Sequence, residues 1–149
     1  IFEMGKIKKT AIGISSLLMG LVLSRFAISK LAGWEISVKA FIEMAKPLGI
    51  DPTFFRVFTG IIIAAVVIGY FSTAFFSLIS KTSVVNSKIP FAGWVVFTNI
   101  FGLFVMSGAL VAEFSLRVQP KLLLVYIAVA IIIFSIINII IVKSIKLIK

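Results

Sequence analysis

Four long apolar runs constrain the fold of this 149-residue chain more than any other feature of its sequence. They occupy residues 10–32, 56–79, 91–112 and 121–142. Each run reaches the length of about 20 residues that an α-helix needs to cross a hydrocarbon core of about 30 Å. Hydrophobic residues make up 61% of the chain and lie mostly in these runs, which leaves no length for a soluble domain. The sequence therefore predicts an all-α fold, a four-transmembrane-helix bundle that forms one membrane domain over residues 1–149.

A fifth helical pattern lies between the first two runs. Apolar residues recur there at helical spacing on one face, at Trp34, Val38, Phe41, Ala45 and Leu48. The opposite face carries the charged residues Glu35, Lys39, Glu43 and Lys46. This pattern predicts an amphipathic helix over residues 34–46 that ends before Pro47, because the residue before a proline avoids the helical conformation. The segment is too polar to span, so we expect it in the membrane interface or in the mouth of the bundle.

The distribution of basic residues predicts the orientation of the chain. Eight Lys residues lie on the face that carries both termini, and six Lys and Arg residues lie on the other face. Because Lys and Arg are enriched in cytoplasmic loops, both termini are expected to be cytoplasmic, in a bacterial inner membrane. The basic residues 1–9 precede an apolar run without a small-residue cleavage site, so we interpret that run as a retained first span.

Composition excludes several classes of function. The chain has no Cys and no His, which removes the usual ligands of zinc, haem and iron–sulfur clusters and the most frequent general base. No catalytic motif is evident, so we expect a protein that is not an enzyme by itself and that holds no metal and no covalent cofactor. The net charge of +10 arises from basic residues scattered singly at span ends, which indicates membrane anchoring rather than nucleic-acid binding. The expected partners are membrane lipids and other membrane proteins, including copies of this chain.

A candidate charged cluster lies at the non-cytoplasmic end of the predicted bundle. Its members share a similar depth and are Arg25, Lys30, Arg56, Glu113 and Arg117. Arg25 is the most informative, because it lies within an apolar run and a charge left in lipid costs about 2.5–3.5 kcal/mol on insertion scales. Three interpretations are open. Arg25 extends to the headgroups, forms an ion pair with Glu113, or joins its neighbours in binding an anionic headgroup, a quinone or a substrate.

A second polar layer is predicted in the cytoplasmic half of the membrane. Tyr70, Asn99 and Asn138 each fall there when their depth is measured from the ends of their own spans. Buried amides in lipid seek partners, and interhelical hydrogen bonds of this kind contribute about 0.6 kcal/mol on average. The layer is therefore interpreted as a set of hydrogen bonds between helices. The alternative is a polar pocket for a quinone ring or a small solute, with Tyr70 as the donor.

A set of residues over most of the chain forms a recognisable pattern, which consists of Gly20, Phe26, Lys30-Leu31, Leu48-Gly49-Ile50, Pro52 and Gly60, together with Pro120-Lys121-Leu122 at the start of the last helix. In these residues, and in its size and its four spans, the chain resembles the DoxX-like family of small four-helix membrane proteins. Many family members place a Glu one turn after the second-helix Gly, where this chain has Ile61-Ile62-Ile63. The resemblance implies a membrane protein of the kind often linked to respiratory or thiosulfate-oxidising systems, with membrane-protein assembly factors among its wider relatives. It does not imply a defined reaction.

Three functions follow from these patterns as hypotheses. The first is a non-catalytic accessory subunit or assembly factor that binds a membrane partner or a lipid. The second is a quinone-interacting membrane subunit of an oxidoreductase complex whose other subunits hold the redox centres. The third is a small transporter or channel, which is disfavoured because the second and fourth spans have almost no polar lining.

Overall fold

The computed structural model describes residues 2–79, 91–117 and 121–147, and this part of the chain is entirely helical. The helices are α1 (Phe2–Ala32), α2 (Glu35–Ala45), α3 (Pro52–Ile79), α4 (Phe91–Leu116) and α5 (Leu122–Leu147). All except α2 are long and apolar enough to cross a membrane. The chain is therefore an integral membrane protein with four apolar helices, as the sequence predicts.

Helices α3 and α4 extend beyond the apolar runs from which the second and third spans are predicted. Helix α3 begins at Pro52 rather than at residue 56, because Asp51 caps it: its carboxylate accepts the Phe54 N–H at 2.9 Å. Asp before the first helical residue and Pro at that residue are both favoured at helix N-termini. Helix α4 continues past residue 112 to Leu116, so Glu113 is a helical residue.

Close contacts at glycines show that α1 and α3 run antiparallel, with contacts from Gly13 to Leu31 of α1. Gly13 faces Ser77, Gly20 faces Phe71, and Gly60 faces Leu31. A Cβ atom at Gly20 would lie 2.7 Å from the Phe71 ring, so a larger residue there would require that ring to move. Small residues at such positions let helix backbones approach closely in membranes.

Helix α5 runs antiparallel to both α1 and α4 and closes the bundle. The Ser15 hydroxyl of α1 donates to the Asn138 side-chain oxygen of α5 at 2.8 Å, and the Asn138 amide donates to the Asn99 side-chain oxygen of α4 at 3.3 Å. The four long helices therefore lie in the order α1, α3, α4, α5 around the bundle. We call the end where α1 begins the terminal end, and the end where α2 lies the mouth end.

Helix α2 packs into the mouth of the bundle. Its buried residues are Ser37, Ala40, Phe41, Met44 and Ala45. They contact α3 at Phe55 and α4 at Ala112 and Leu116. The predicted apolar face is wrong at its two ends, since Trp34 is 42% exposed and Leu48 is 49% exposed. Both lie outside the helix, Trp34 in an extended conformation before it and Leu48 after it, so helical spacing does not apply to them.

Candidate binding site

A cavity of about 830 Å³ lies beneath α2 at the mouth end of the bundle. All five helices contribute to its lining, α1 with its last three turns and α5 with its first two. Buried apolar side chains, including Leu23, Ile63, Met106 and Ala128, form its floor. Its volume lies within the range of about 300–1,000 Å³ typical of small-molecule sites. We call it the mouth cavity.

The mouth cavity has an excess of positive charge. Four basic side chains line it, those of Arg25, Lys30, Arg117 and Lys121, together with the carboxylate of Glu113. Since the carboxylate offsets one of these charges, the lining carries a net excess of three positive charges. A strongly basic surface among apolar walls attracts an anion, because low-dielectric surroundings strengthen the electrostatic interaction.

Glu113 forms its ion pair with Arg117, and the predicted pair between Arg25 and Glu113 is not formed. The Arg117 guanidinium donates to both carboxylate oxygens, at 2.9 and 3.2 Å, and the backbone N–H of Lys121 donates to one of them at 3.1 Å. Residues four apart on a helix are neighbours, so Arg117 reaches the carboxylate without crossing the bundle. Arg25 instead has an exposed side chain at the rim of the mouth cavity. Within the described residues it forms no ion pair.

Lys30 lies against the aromatic part of the cavity wall. Its ammonium nitrogen is 5.4 Å from the centre of the Phe26 ring and 5.8 Å from that of the Phe41 ring. A cation over an aromatic face is stabilised by the ring quadrupole. Trp34, Phe55 and Phe58 also line the cavity, so five aromatic side chains contribute to its wall, and two of them, Phe26 and Phe41, lie beside the Lys30 ammonium group.

Arg56 is the one member of the predicted charged cluster that does not line the mouth cavity. Its guanidinium donates to the backbone carbonyl of Lys30 and lies against Gly33, where the chain turns with φ of +73°. It thus satisfies a carbonyl at the C-terminus of α1, where helical carbonyls lack intrahelical partners. The Arg56 side chain acts as a cap that fixes the turn into α2.

Sequence reasoning omitted four polar residues of the mouth cavity, namely Ser29, Ser37, Thr59 and Lys121. Lys121 lines it from the start of α5, and the hydroxyls of Ser29 and Ser37 share a hydrogen bond of 2.5 Å in its wall. Lys121 was detectable as a basic residue at the same membrane depth as Arg117. The two serines had no such signal, because a Ser within an apolar helix is commonly a packing residue.

The inner polar layer lies below the cavity floor and does not line the mouth cavity. Tyr70 is fully buried, and its hydroxyl shares a 2.7 Å hydrogen bond with Ser135 across the bundle from α3 to α5. Asn99 and Asn138 are buried and hydrogen-bonded to each other, and the Asn99 amide also donates to the Val95 carbonyl at 2.8 Å. The layer therefore links all four long helices. The Tyr70 hydroxyl faces Ser135 and packs against Gly102, so it is not directed into a ligand pocket.

The described residues contain no group of three or more His, Cys, Asp or Glu side chains that could hold a metal ion. The chemistry that the mouth cavity offers is therefore that of cations, hydroxyls and aromatic rings, which bind and orient an anionic or amphiphilic molecule. Comparison with protein-family models, with curated proteins and with solved structures found no match to this chain. The resemblance to the DoxX-like family stays a prediction.

Proposed function

We propose that this chain is a non-catalytic, DoxX-like integral membrane protein that holds a membrane lipid in the mouth cavity, as an accessory subunit or an assembly factor. The observation that carries the proposal is the mouth cavity itself, an apolar and aromatic chamber of about 830 Å³ with a basic lining. An empty chamber of this size would lose the van der Waals contacts of its walls, so an occupant stabilises the bundle.

The position of the cavity favours a lipid as that occupant. The basic side chains of Lys30, Arg117 and Lys121 lie near the ends of their helices, at the level of the headgroups, whereas the floor lies deeper and is apolar. A lipid has the same polarity gradient along its length. Arg25 and Leu21 are exposed members of the lining, so the cavity communicates with the side of the bundle that faces the membrane.

A second candidate function is that of a quinone-interacting subunit of an oxidoreductase complex. The aromatic wall around Lys30 supports it, since aromatic side chains stack on planar rings. A quinone would occupy the same cavity, with its carbonyl oxygens accepting from Lys30 or from the Ser29 hydroxyl. Identification of the bound molecule therefore decides between the two functions.

The proposed setting is a bacterial inner membrane with both termini in the cytoplasm. The eight-to-six distribution of basic residues supports this orientation. The mouth cavity and α2 then lie on the non-cytoplasmic side, and the occupant belongs to the outer leaflet of that membrane.

Filling the mouth cavity with a side chain tests the proposed function. Gly108 of α4 lines the cavity, and a Cβ atom placed there meets no atom within 4 Å, so the Gly108→Phe variant should fold with its ring in the chamber. Val111→Phe is the matched control, because Val111 lies one turn further along α4, is 64% exposed and does not line the cavity. Protein purified in mild detergent would be analysed by mass spectrometry for lipids and quinones.

The wild type and Val111→Phe should retain the same lipid, and Gly108→Phe should lose it. Retention of a quinone by the wild type and its loss from Gly108→Phe would favour the second function instead. Equal retention of every lipid and quinone by all three proteins would show that the mouth cavity is not a binding site.

A further inference from the structure

The mouth cavity adjoins an apolar groove on the surface between α1 and α5. This groove has a volume of about 420 Å³ and shares Val22 and Ile127 with the cavity lining. From Val22 it extends along α1 to Ala11, a length of about 16 Å at 1.5 Å per residue. Apart from Ser15, its lining is apolar. Because the first span covers Ile7–Ala32, the groove extends from the cavity past the middle of the span toward the terminal end.

The walls of the groove are exposed to the membrane. Ile14 and Leu18 of α1 are 56% and 57% exposed, and Phe134 of α5 is 48% exposed. Its base is formed by Met19 and Ile131, which are buried. A groove of this shape accepts an extended hydrocarbon chain that lies parallel to the helices, as the chains of the surrounding bilayer do.

We propose that the occupant is an anionic glycerophospholipid whose phosphate lies among Arg25, Lys30 and Lys121 and one of whose acyl chains lies in the groove between α1 and α5. This inference rests on the proposed function, since it requires a lipid in the mouth cavity. It adds the charge class of the headgroup and the path of the chain.

The charge balance of the cavity selects an anionic headgroup. The net excess of three positive charges matches a phosphate, to which guanidinium and ammonium groups donate charge-assisted hydrogen bonds. A zwitterionic choline lipid would bring a further cation into a site that already has an excess of positive charge. A neutral quinone would leave this net excess uncompensated. The hydroxyls of Ser29 and Ser37 add neutral donors in the same wall.

Binding of defined lipids to the full chain tests the headgroup. Delipidated protein in detergent would be titrated with phosphatidic acid, with phosphatidylcholine of the same acyl chains, with a polyprenyl phosphate and with inorganic phosphate, and binding measured by native mass spectrometry. Phosphatidic acid should bind about tenfold more tightly than phosphatidylcholine, the difference expected when cations meet a net negative headgroup. Inorganic phosphate should bind more weakly than phosphatidic acid, because it lacks the chain.

Variants then separate the headgroup from the chain. Lys30→Gln should weaken phosphatidic acid binding about fivefold and leave phosphatidylcholine binding unchanged. Lys46→Gln is its control, since Lys46 is exposed at the same end and does not line the cavity. Ala130→Phe should fill the groove and weaken both lipids, whereas Val129→Phe, on the neighbouring residue outside the groove lining, should weaken neither.

The outcomes distinguish the inference from the function on which it rests. If no lipid binds the wild type more tightly than Gly108→Phe, the proposed function fails. If lipids bind in the cavity but phosphatidic acid has no advantage, or Lys30→Gln has no more effect than Lys46→Gln, the anionic headgroup is refuted and the proposed function stands. Unchanged binding in Ala130→Phe refutes the path of the chain. Tighter binding of the polyprenyl phosphate than of phosphatidic acid refutes the glycerophospholipid.

Discussion

Removing both partners of the Glu113–Arg117 ion pair should destabilise the bundle by less than the sum of the two single losses. The two side chains are only 9% and 13% exposed, so each charge depends on the other for its compensation. Arg117→Met leaves the Glu113 carboxylate buried. Of the three hydrogen bonds that this carboxylate accepts from Arg117 and Lys121, only the one from the Lys121 backbone N–H remains. Breaking one side of a buried pair costs about 3–5 kcal/mol of stability. In the double variant Glu113→Gln/Arg117→Met no charge is stranded, so its loss should be smaller than the sum of the single losses by about 1–3 kcal/mol.

Thermal unfolding in detergent, followed by tryptophan fluorescence, measures these losses in a double-mutant cycle. A control double-mutant cycle uses Arg25 and Glu113. Arg25 also lines the mouth cavity but is exposed. Arg25→Met and Glu113→Gln should be additive within about 0.5 kcal/mol, as expected for residues that share no contact. The cycle is run without added lipid, because a shared anionic ligand would couple all three residues.

The opposite pattern would contradict the structure. Coupling between Arg25 and Glu113 together with additivity between Arg117 and Glu113 would mean that the ion pair crosses the bundle. That result would support an ion pair between Arg25 and Glu113, which is one of the interpretations that the sequence leaves open. Additivity in both cycles would mean that Glu113 is compensated by another group, of which the Lys121 N–H is the nearest candidate.

Two further predictions concern the inner polar layer and the orientation of the chain. Gly102→Ala should lower the thermal stability, because the added Cβ overlaps the Tyr70 hydroxyl. Tyr70→Phe should cost about 0.6 kcal/mol by itself, because it removes the hydrogen bond to Ser135. In the Tyr70→Phe background, Gly102→Ala should cause a smaller loss of stability than in the wild type. Equal losses from Gly102→Ala in both backgrounds would refute the contact. A carboxy-terminal reporter that is active only in the cytoplasm should be active, and activity from a periplasmic reporter alone would reverse the orientation.

The membrane helices were predictable because the bilayer imposes a length and a composition on every span. The amphipathic helix was predictable in its extent, since α2 covers Glu35–Ala45 and the predicted range was 34–46. Its buried face was harder to predict. Packing in the mouth selects Ser37, which shares a hydrogen bond with Ser29 of α1, and Ala40, which packs in a cluster with residues of α3 and α4. Neither belongs to the apolar stripe predicted from the sequence.

The partner of Glu113 could not be derived from depth in the membrane. Position along a helix gives the height of a side chain, but the direction in which it points depends on how the helix is rotated in the bundle. Arg25 and Glu113 both line the mouth cavity, yet Arg25 is exposed and Glu113 is buried. The spacing of four between Glu113 and Arg117 was the better signal. It was missed because Arg117 was placed in the predicted loop between the third and fourth spans, and so not on the same helix as Glu113.

The hydrogen bonds that join the long helices lie away from the mouth cavity, which is the proposed binding site. The contacts that join α1 to α5, from Lys8 to Ser144 and from Ser15 to Asn138, lie toward the terminal end. Tyr70 and Ser135 add a link between α3 and α5 just below the cavity floor. Toward the mouth end the space between α1 and α5 is occupied by the mouth cavity instead. In the proposed function, a lipid would therefore enter laterally between α1 and α5 at the mouth end, away from the hydrogen bonds that join the four helices.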